Sequence, residues 1–241
     1  MRIPRLVGVL IVPALLVPAI ASASTSAVLD DPVVAAAAPE ATPYRAVSSP
    51  GPGQVALTFD DGPVRSTTTA IIDILEKHRV GGTFFVVGSQ LTRAPDVALR
   101  AHRLGHSIQN HTWSHPWLTR LSTAEVTWQL EKNARVIAKA IGVRPTVYRP
   151  PYGARNTRVT AAATKLGYRT IMWNASPGMS VQSASRIAAT IRSQAASLKR
   201  RGRGVNVLFH DGAGCRRCIV AALPLVIRDL KRMGFEFVVI R

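Results

Sequence analysis

At 241 residues, 47% of them hydrophobic, the chain is long enough for one large domain with a full apolar core. Lysine and arginine number 31 against 13 acids, a formal charge of +18. That field favours an anionic partner or simply solubility. Nucleic acid is not expected, since no helix-turn-helix, zinc-finger or RNA-binding signature is present.

The chain opens with Met1-Arg2-Ile3-Pro4-Arg5, an apolar run over 6–20 and then Ala21-Ser22-Ala23. These are the charged, apolar and small-residue parts of a secretory signal peptide, with cleavage expected after Ala23. As a membrane anchor the run is shorter than about 20 residues and is broken by Pro13 and Pro18. No later segment is long and apolar enough to span a bilayer. Without Arg2 and Arg5, +18 falls to +16, and an anionic cell-wall surface suits an exported chain of that charge. Residues 24–52 are mostly Ala, Ser, Pro and Gly and are expected to form a flexible spacer. The folded domain is therefore expected over 53–241.

A strand over 55–59 should deliver Asp60 and Asp61 to its C-terminal end, ahead of a Gly62-Pro63 turn. Ile71, Ile72, Ile74 and Leu75 have helical spacing over 67–78, with Gly81-Gly82 as a stop. A strand over 83–87, a helix over 96–104 and a short strand over 107–110 lead to His111. Ser122-Thr123-Ala124-Glu125 reads as a capping box that opens a long helix to about Ile141, ending at Gly142. A strand over 146–148 runs into Arg149 and a double proline, which forces an extended loop. Then come helix 156–166, strand 168–173, helix 183–199, strand 205–209, helix 219–233 and strand 235–239. This alternation predicts an α/β fold with a parallel sheet wrapped by helices.

The candidate chemistry lies at the ends of those strands, where α/β folds gather reactive groups. Adjacent carboxylates repel, and a bound cation or a retained proton makes the pair tolerable. His111 and His115, four apart, offer two neutral nitrogens. With one carboxylate they form a set suited to zinc or a similar divalent ion, leaving a coordination position open. Cys215 and Cys218, the only cysteines, are too few for a zinc site. In an oxidising compartment they are expected to form a local disulfide. Redox chemistry is the lesser alternative, favoured by Arg216 and Arg217 beside the thiols.

Four stretches occur in order: Thr58-Phe59-Asp60-Asp61-Gly62, His111-Thr112-Trp113-Ser114-His115, Arg149-Pro150-Pro151-Tyr152-Gly153 and Leu208-Phe209-His210. Together they resemble the motifs of the polysaccharide deacetylase family, the NodB-homology domains of carbohydrate esterase family four. The likeness runs from about Val55 to Val239. It implies a distorted (β/α)7-type barrel and a metal-dependent hydrolase that removes N-acetyl groups from amino sugars of peptidoglycan or a chitin-like glycan. An acetylated polysaccharide would be the substrate of a monomer acting outside the cell. By the same resemblance Asp61, His111 and His115 would hold the ion, zinc first, with cobalt, nickel or manganese as alternatives. Asp60 would be the base, Arg149 its holder and His210 the acid. The Tyr152 backbone would stabilise the oxyanion, Leu208 would line the methyl pocket, and Trp113, Trp117 and Tyr152 would meet sugar rings.

One family segment is altered. Where relatives carry a stretch like W-S-V-D-P-x-D-W, this chain has Trp173-Asn174-Ala175-Ser176-Pro177-Gly178-Met179-Ser180. Both carboxylates are replaced, by Ser176 and Met179, and with them goes the group that supports the family's acid histidine, unless Asp211 or another group substitutes. A shifted pH optimum or altered groove is expected. O-acetyl ester hydrolysis, as on xylan, and a non-catalytic wall-binding module are the alternatives.

Overall fold

The computed structural model describes residues 44–180 and 183–241. The expected signal peptide and most of the expected spacer lie outside them. From Tyr44 onward the expected spacer is part of the fold. Strand β1 (Ala46–Val47) pairs in parallel with the C-terminal β9 (Val239–Ile240), and the Tyr44 ring stacks on His106 at 5.5 Å. Small-residue composition hid this edge, because its partner lies at the far end of the chain.

The remaining elements follow in order: β2 (Gln54–Asp60), α1 (Arg65–Lys77), β3 (Gly82–Val86), α2 (Gly88–Leu91), α3 (Pro95–Arg103) and β4 (Ser107–Asn110). Next are α4 (Thr123–Ile141), β5 (Val147–Tyr148), α5 (Thr157–Lys165), β6 (Arg169–Thr170), α6 (Ala184–Arg200), β7 (Val205–His210), α7 (Arg216–Arg232) and β8 (Glu236–Phe237). Seven strands form one sheet in the order β6-β5-β4-β3-β2-β7, with β8 also on β2, and every pairing is parallel. The sheet curls into a half-barrel wrapped by helices, the distorted (β/α)7 architecture expected.

The strand expected over 168–173 is only two residues long. Beyond it the chain stays extended but irregular and meets β7: Ala175 accepts from the Leu208 amide, and Asn206 Nδ2 donates to the Met172 carbonyl. These bonds bring the two ends of the sheet together. The final predicted strand is split, its halves pairing with β2 and β1.

Alternation along β2 sorts its side chains onto two faces. Leu57 and Phe59 join the main core with Ile71, Ile72 and Leu75 of α1 and the apolar faces of α6 and α7. Each fully buried aliphatic or aromatic residue there contributes about 1.5–3 kcal/mol. Phe59 lies between Phe84 and Phe209, with centroids at 5.1 and 5.8 Å. Ala56, Thr58 and Asp60 face the other way. Ala56 joins Phe85, Val147, Ile171, Val238 and Ile240 in a small inner cluster, a dry floor beneath the strand ends.

Helix α4 starts where the sequence places it. The Ser122 hydroxyl accepts from the Glu125 amide while the Glu125 carboxylate accepts from the Ser122 amide, and Gly142 closes the helix at φ 79°. One side chain of α4 reaches the sheet: Asn133 donates to the Val86 carbonyl and to Asn110 Oδ1.

Candidate active site

Asp60 ends β2 opposite Phe85 of β3 and His210 of β7. Its neighbour Asp61 turns into the left-handed region at φ 76°. Five non-glycine residues among those described have positive φ, and four of them, Asp61, Thr112, His115 and Tyr152, belong to this mouth. Such backbone costs on the order of 1–3 kcal/mol per residue and persists only where its surroundings enforce it.

The loop after β4 is held from below. Asn110 Oδ1 accepts from the Thr112 amide, and the Thr112 hydroxyl accepts from the His115 amide. Gln129 of α4 accepts from the amides of Trp113 and Ser114 and donates to the Ser114 hydroxyl. Thus His111 and His115 are presented by a polar cradle.

His111 Nδ1 lies 2.7 Å from the Arg149 carbonyl, which can only accept, so Nδ1 carries a proton and Nε2 faces the cavity. That Nε2 is 3.4 Å from Asp61 Oδ1, and His115 Nε2 is 3.1 Å from the same oxygen. One atom from each of Asp61, His111 and His115 falls within 4.8 Å of the others. Asp61 Oδ1 is buried and accepts no hydrogen bond. A buried oxygen without a donor, facing two imidazole nitrogens, is what a divalent ion would satisfy, and the oxygen-nitrogen set fits zinc or a similar metal. Burial opposes ionisation of Asp61, but the two imidazoles outweigh it and hold the carboxyl far below its usual range. Burial likewise disfavours a charge on His111, and the carboxylates of Asp60 and Asp61 reverse that effect.

Arg149 is fully buried above Phe85, its guanidinium carbon 4.1 Å from the ring. Nη1 donates to Asp60 Oδ1 at 2.7 Å and to the Thr58 hydroxyl at 2.8 Å, and Nε donates to the Ile171 carbonyl. Burial pulls the guanidinium pKa down while Asp60 counters it. With Oδ1 so occupied, Asp60 Oδ2 lies on the ligand side, 3.7 Å from His111 Nε2.

A cavity of about 690 Å³ opens over this group, lined by Asp60, Asp61, His111, His115, Tyr152, Leu208 and His210, with Ser176 and Met179 on one wall. Trp113 does not line it. Its ring lies under Lys132 Nζ at 4.0 Å and beside Gly88. Tyr152 takes the exposed position instead, stacked on Trp117 with centroids 4.3 Å apart and edge-on to His115 at 4.6 Å. The four-residue α2, too short for a periodic signal, supplies Ser89 and Gln90 to the lining.

Asp211, the expected substitute partner for His210, is engaged elsewhere. Its oxygens accept from the Gly62 amide at 3.0 Å and the Thr68 hydroxyl at 2.5 Å, pinning the turn after Asp61. Burial, then the charges of Asp61 and Asp60, push its pKa up to about 7 despite the Thr68 bond. The Ser176 hydroxyl accepts from the Gly178 amide, and Met179 is 54% exposed. The cavity's carboxylates, among the described residues, are Asp60 and Asp61. Cys215 and Cys218 form the expected disulfide at the start of α7, with Cα atoms 5.2 Å apart.

A family model described as polysaccharide deacetylase matches residues 48–171, just over half the chain. The chain belongs to the polysaccharide deacetylase family. It is 36% identical over 188 residues to the peptidoglycan-N-acetylglucosamine deacetylase PgdA of Listeria monocytogenes, covering 78% of this chain and 38% of that protein. It is 33% identical over 199 residues to the peptidoglycan-N-acetylmuramic acid deacetylase PdaC of Bacillus subtilis, covering 82% of this chain and 40% of that protein. The chain thus spans about two fifths of these relatives' length. A solved peptidoglycan N-acetylglucosamine deacetylase, crystallised with a naphthyl N-oxidanyl-benzamide, superposes with a TM-score of 0.73 at 31% identity, covering 81% of this chain and 91% of that one.

Proposed function

We propose that this chain is a secreted, metal-dependent deacetylase acting on N-acetylated amino sugars of peptidoglycan or a chitin-like glycan. The observation that carries the reading is the convergence of His111 Nε2 and His115 Nε2 on the partnerless, buried Asp61 Oδ1, beside a second carboxylate gripped by Arg149. Asp61, His111 and His115 would hold the ion, most simply zinc, which when bound would polarise the acetyl carbonyl and acidify water. Asp60, fixed through one oxygen by Arg149, accepts a proton from the attacking water with the other. The Tyr152 backbone, set by its left-handed conformation, donates to the developing oxyanion. Leu208 borders the space for the acetyl methyl. His210, level with Asp60 on the neighbouring strand, protonates the sugar nitrogen as the carbon-nitrogen bond breaks, giving acetate and a free amine.

Export is supported by the pattern of residues 1–23, and no helix among the described residues is long and apolar enough to cross a membrane. The positive charge suits work on an anionic wall. One observation favours a second reading, an O-acetyl esterase: Ser176 and Met179 stand where carboxylates would support His210, and an alkoxide needs less protonation to leave than an amine. Acetate release from N-acetylated and O-acetylated glycans, with and without chelator, separates the two. Asp60→Asn should abolish the favoured release. Unchanged release would remove the proposal, and binding without release would indicate a non-catalytic module.

A further inference from the structure

The Cys215–Cys218 pair stands beside the mouth and takes no part in the chemistry described above. Cys215 immediately precedes α7, a helix of 17 residues, and Cys218 is the third residue within it. A side chain in the position before a helix faces the unpaired amides of its first turn. Here that position holds sulfur, and a covalent link across the turn stands where a capping hydrogen bond would. Both cysteines are partly exposed. The first turn contains no acid, and the two residues between the cysteines, Arg216 and Arg217, are exposed. Helices α1 and α6 pack against α7 and start at the same end, contributing Arg65, paired with Asp96, and Arg186. His210 and Cys215 border one small pocket, while the Asp211 carboxylate is taken by Gly62 and Thr68.

The sulfur pair is also tied to the mouth. The amides of Asp211 and Gly212 donate to the Asp60 carbonyl, and Gly212 packs so closely on Asp61 that an added Cβ would fall 2.2 Å from its carbonyl oxygen. Gly214, at φ 65°, lies against the Met179 methyl, and Ala213 and Met179 both line the cavity. The loop from His210 to α7 is therefore fixed at one end on the paired aspartates and at the other by the disulfide.

We propose that Cys215 and Cys218 form a redox-active pair that undergoes thiol–disulfide exchange with a dithiol partner, and that its state sets the wall made by Ala213, Gly214 and Met179. The exchange is independent of the deacetylase reading; only its effect on turnover rests on that reading. In the reducing direction a partner thiolate bonds to the Cys218 sulfur, and the Cys215–Cys218 bond breaks. Cys215 leaves as a thiolate, stabilised by the first-turn amides and the two guanidiniums. The partner's second thiolate then bonds to its own sulfur in the mixed disulfide and releases Cys218. Two electrons pass to the pair, the partner departs as a disulfide, and of its two protons one ends on Cys218 and one in solvent. A stabilised thiolate favours the reduced pair, so this disulfide opens more readily than one without such neighbours.

The test equilibrates the folded full chain in glutathione buffers, traps free thiols by alkylation and counts them by mass spectrometry. The parent should be half reduced at a ratio of squared reduced to oxidised glutathione about tenfold lower than Arg216→Gln/Arg217→Gln requires. With Cys218→Ser, the remaining Cys215 thiol should be alkylated at pH 6 about tenfold faster than in the chain that also carries the two arginine changes. Turnover is compared between the parent and Cys215→Ser/Cys218→Ser, which opens the clamp without a thiol reagent to compete for the ion and keeps a capping oxygen before α7. KM should rise about three- to tenfold with little change in kcat. A disulfide that opens only in denaturant, or that responds equally with and without the two arginines, overturns the redox pair. Equal KM in the two chains overturns its link to the wall. Absence of acetate release from both, with the exchange as expected, counts against the deacetylase reading and leaves the redox pair standing.

Discussion

Replacing Arg149 with methionine takes the hydrogen-bonded guanidinium off a carboxylate that is 3% exposed. Removing one partner of a buried ion pair costs about 3–5 kcal/mol, because the remaining charge has neither water nor counter-ion. The Thr58 hydroxyl and the Ile171 carbonyl lose a donor as well. Against a typical total of about 5–15 kcal/mol, that is roughly a fifth or more of the stability. Asp60→Asn removes the stranded charge, so the double variant Arg149→Met/Asp60→Asn should regain about 2 kcal/mol or more relative to the sum of the single losses. Denaturant unfolding of the four proteins measures this coupling. Acetate release should fall about 10²–10⁴-fold in each single variant, the usual contribution of a positioned base. If Arg149→Met costs under about 1 kcal/mol, or the two losses simply add, Arg149 does not hold Asp60 as described.

Gln129→Ala leaves the ligands intact but frees the amides of Trp113 and Ser114. It should cost about 1–3 kcal/mol and weaken ion binding about 10–100-fold in a chelator competition; unchanged affinity would make the cradle merely structural. Asp211 is raised from 3.8 to about 7, so the folded chain holds a proton that the unfolded chain has released, and stability should fall by up to about 4 kcal/mol as pH rises from 4 to 7. Asp211→Asn, which keeps an acceptor for Gly62 and can donate to Thr68, should flatten that fall relative to the parent when melting is followed across this range with chelator present. Parallel curves would contradict it. Replacing Trp113 with leucine should change substrate affinity less than replacing Tyr152 with leucine, because Trp113 lies outside the cavity; a larger effect at Trp113 would refute its placement.

Most of the layout is legible because strand and helix periods alternate and the reactive residues fall just past strand ends. The long helix from Thr123 was readable from its cap, which is a local signal. What escaped was long-range or local in an unpatterned way. The edge at Ala46 depends on a partner almost two hundred residues away. Gln129 and Asn133 look like the polar face of an amphipathic helix, and only the fold turns Asn133 to the sheet and Gln129 to the loop after β4. That Tyr152 lines the cavity and Trp113 does not is not legible from spacing, because left-handed backbone at Thr112, His115 and Tyr152 breaks any rule linking spacing to side-chain direction. Adjacency makes Asp211 a natural partner for His210, but the turn sends its carboxylate to Gly62 and Thr68 instead.

The central claim is tested most directly by stripping the purified chain with chelator and titrating zinc back while counting bound ions and released acetate. Acetate release should be absent at the start, rise with zinc and level off at one ion per chain, and Asp61→Asn should lose both the tight binding and the turnover. Release that persists in chelator, or an Asp61→Asn chain that binds zinc and turns over like the parent, would contradict it.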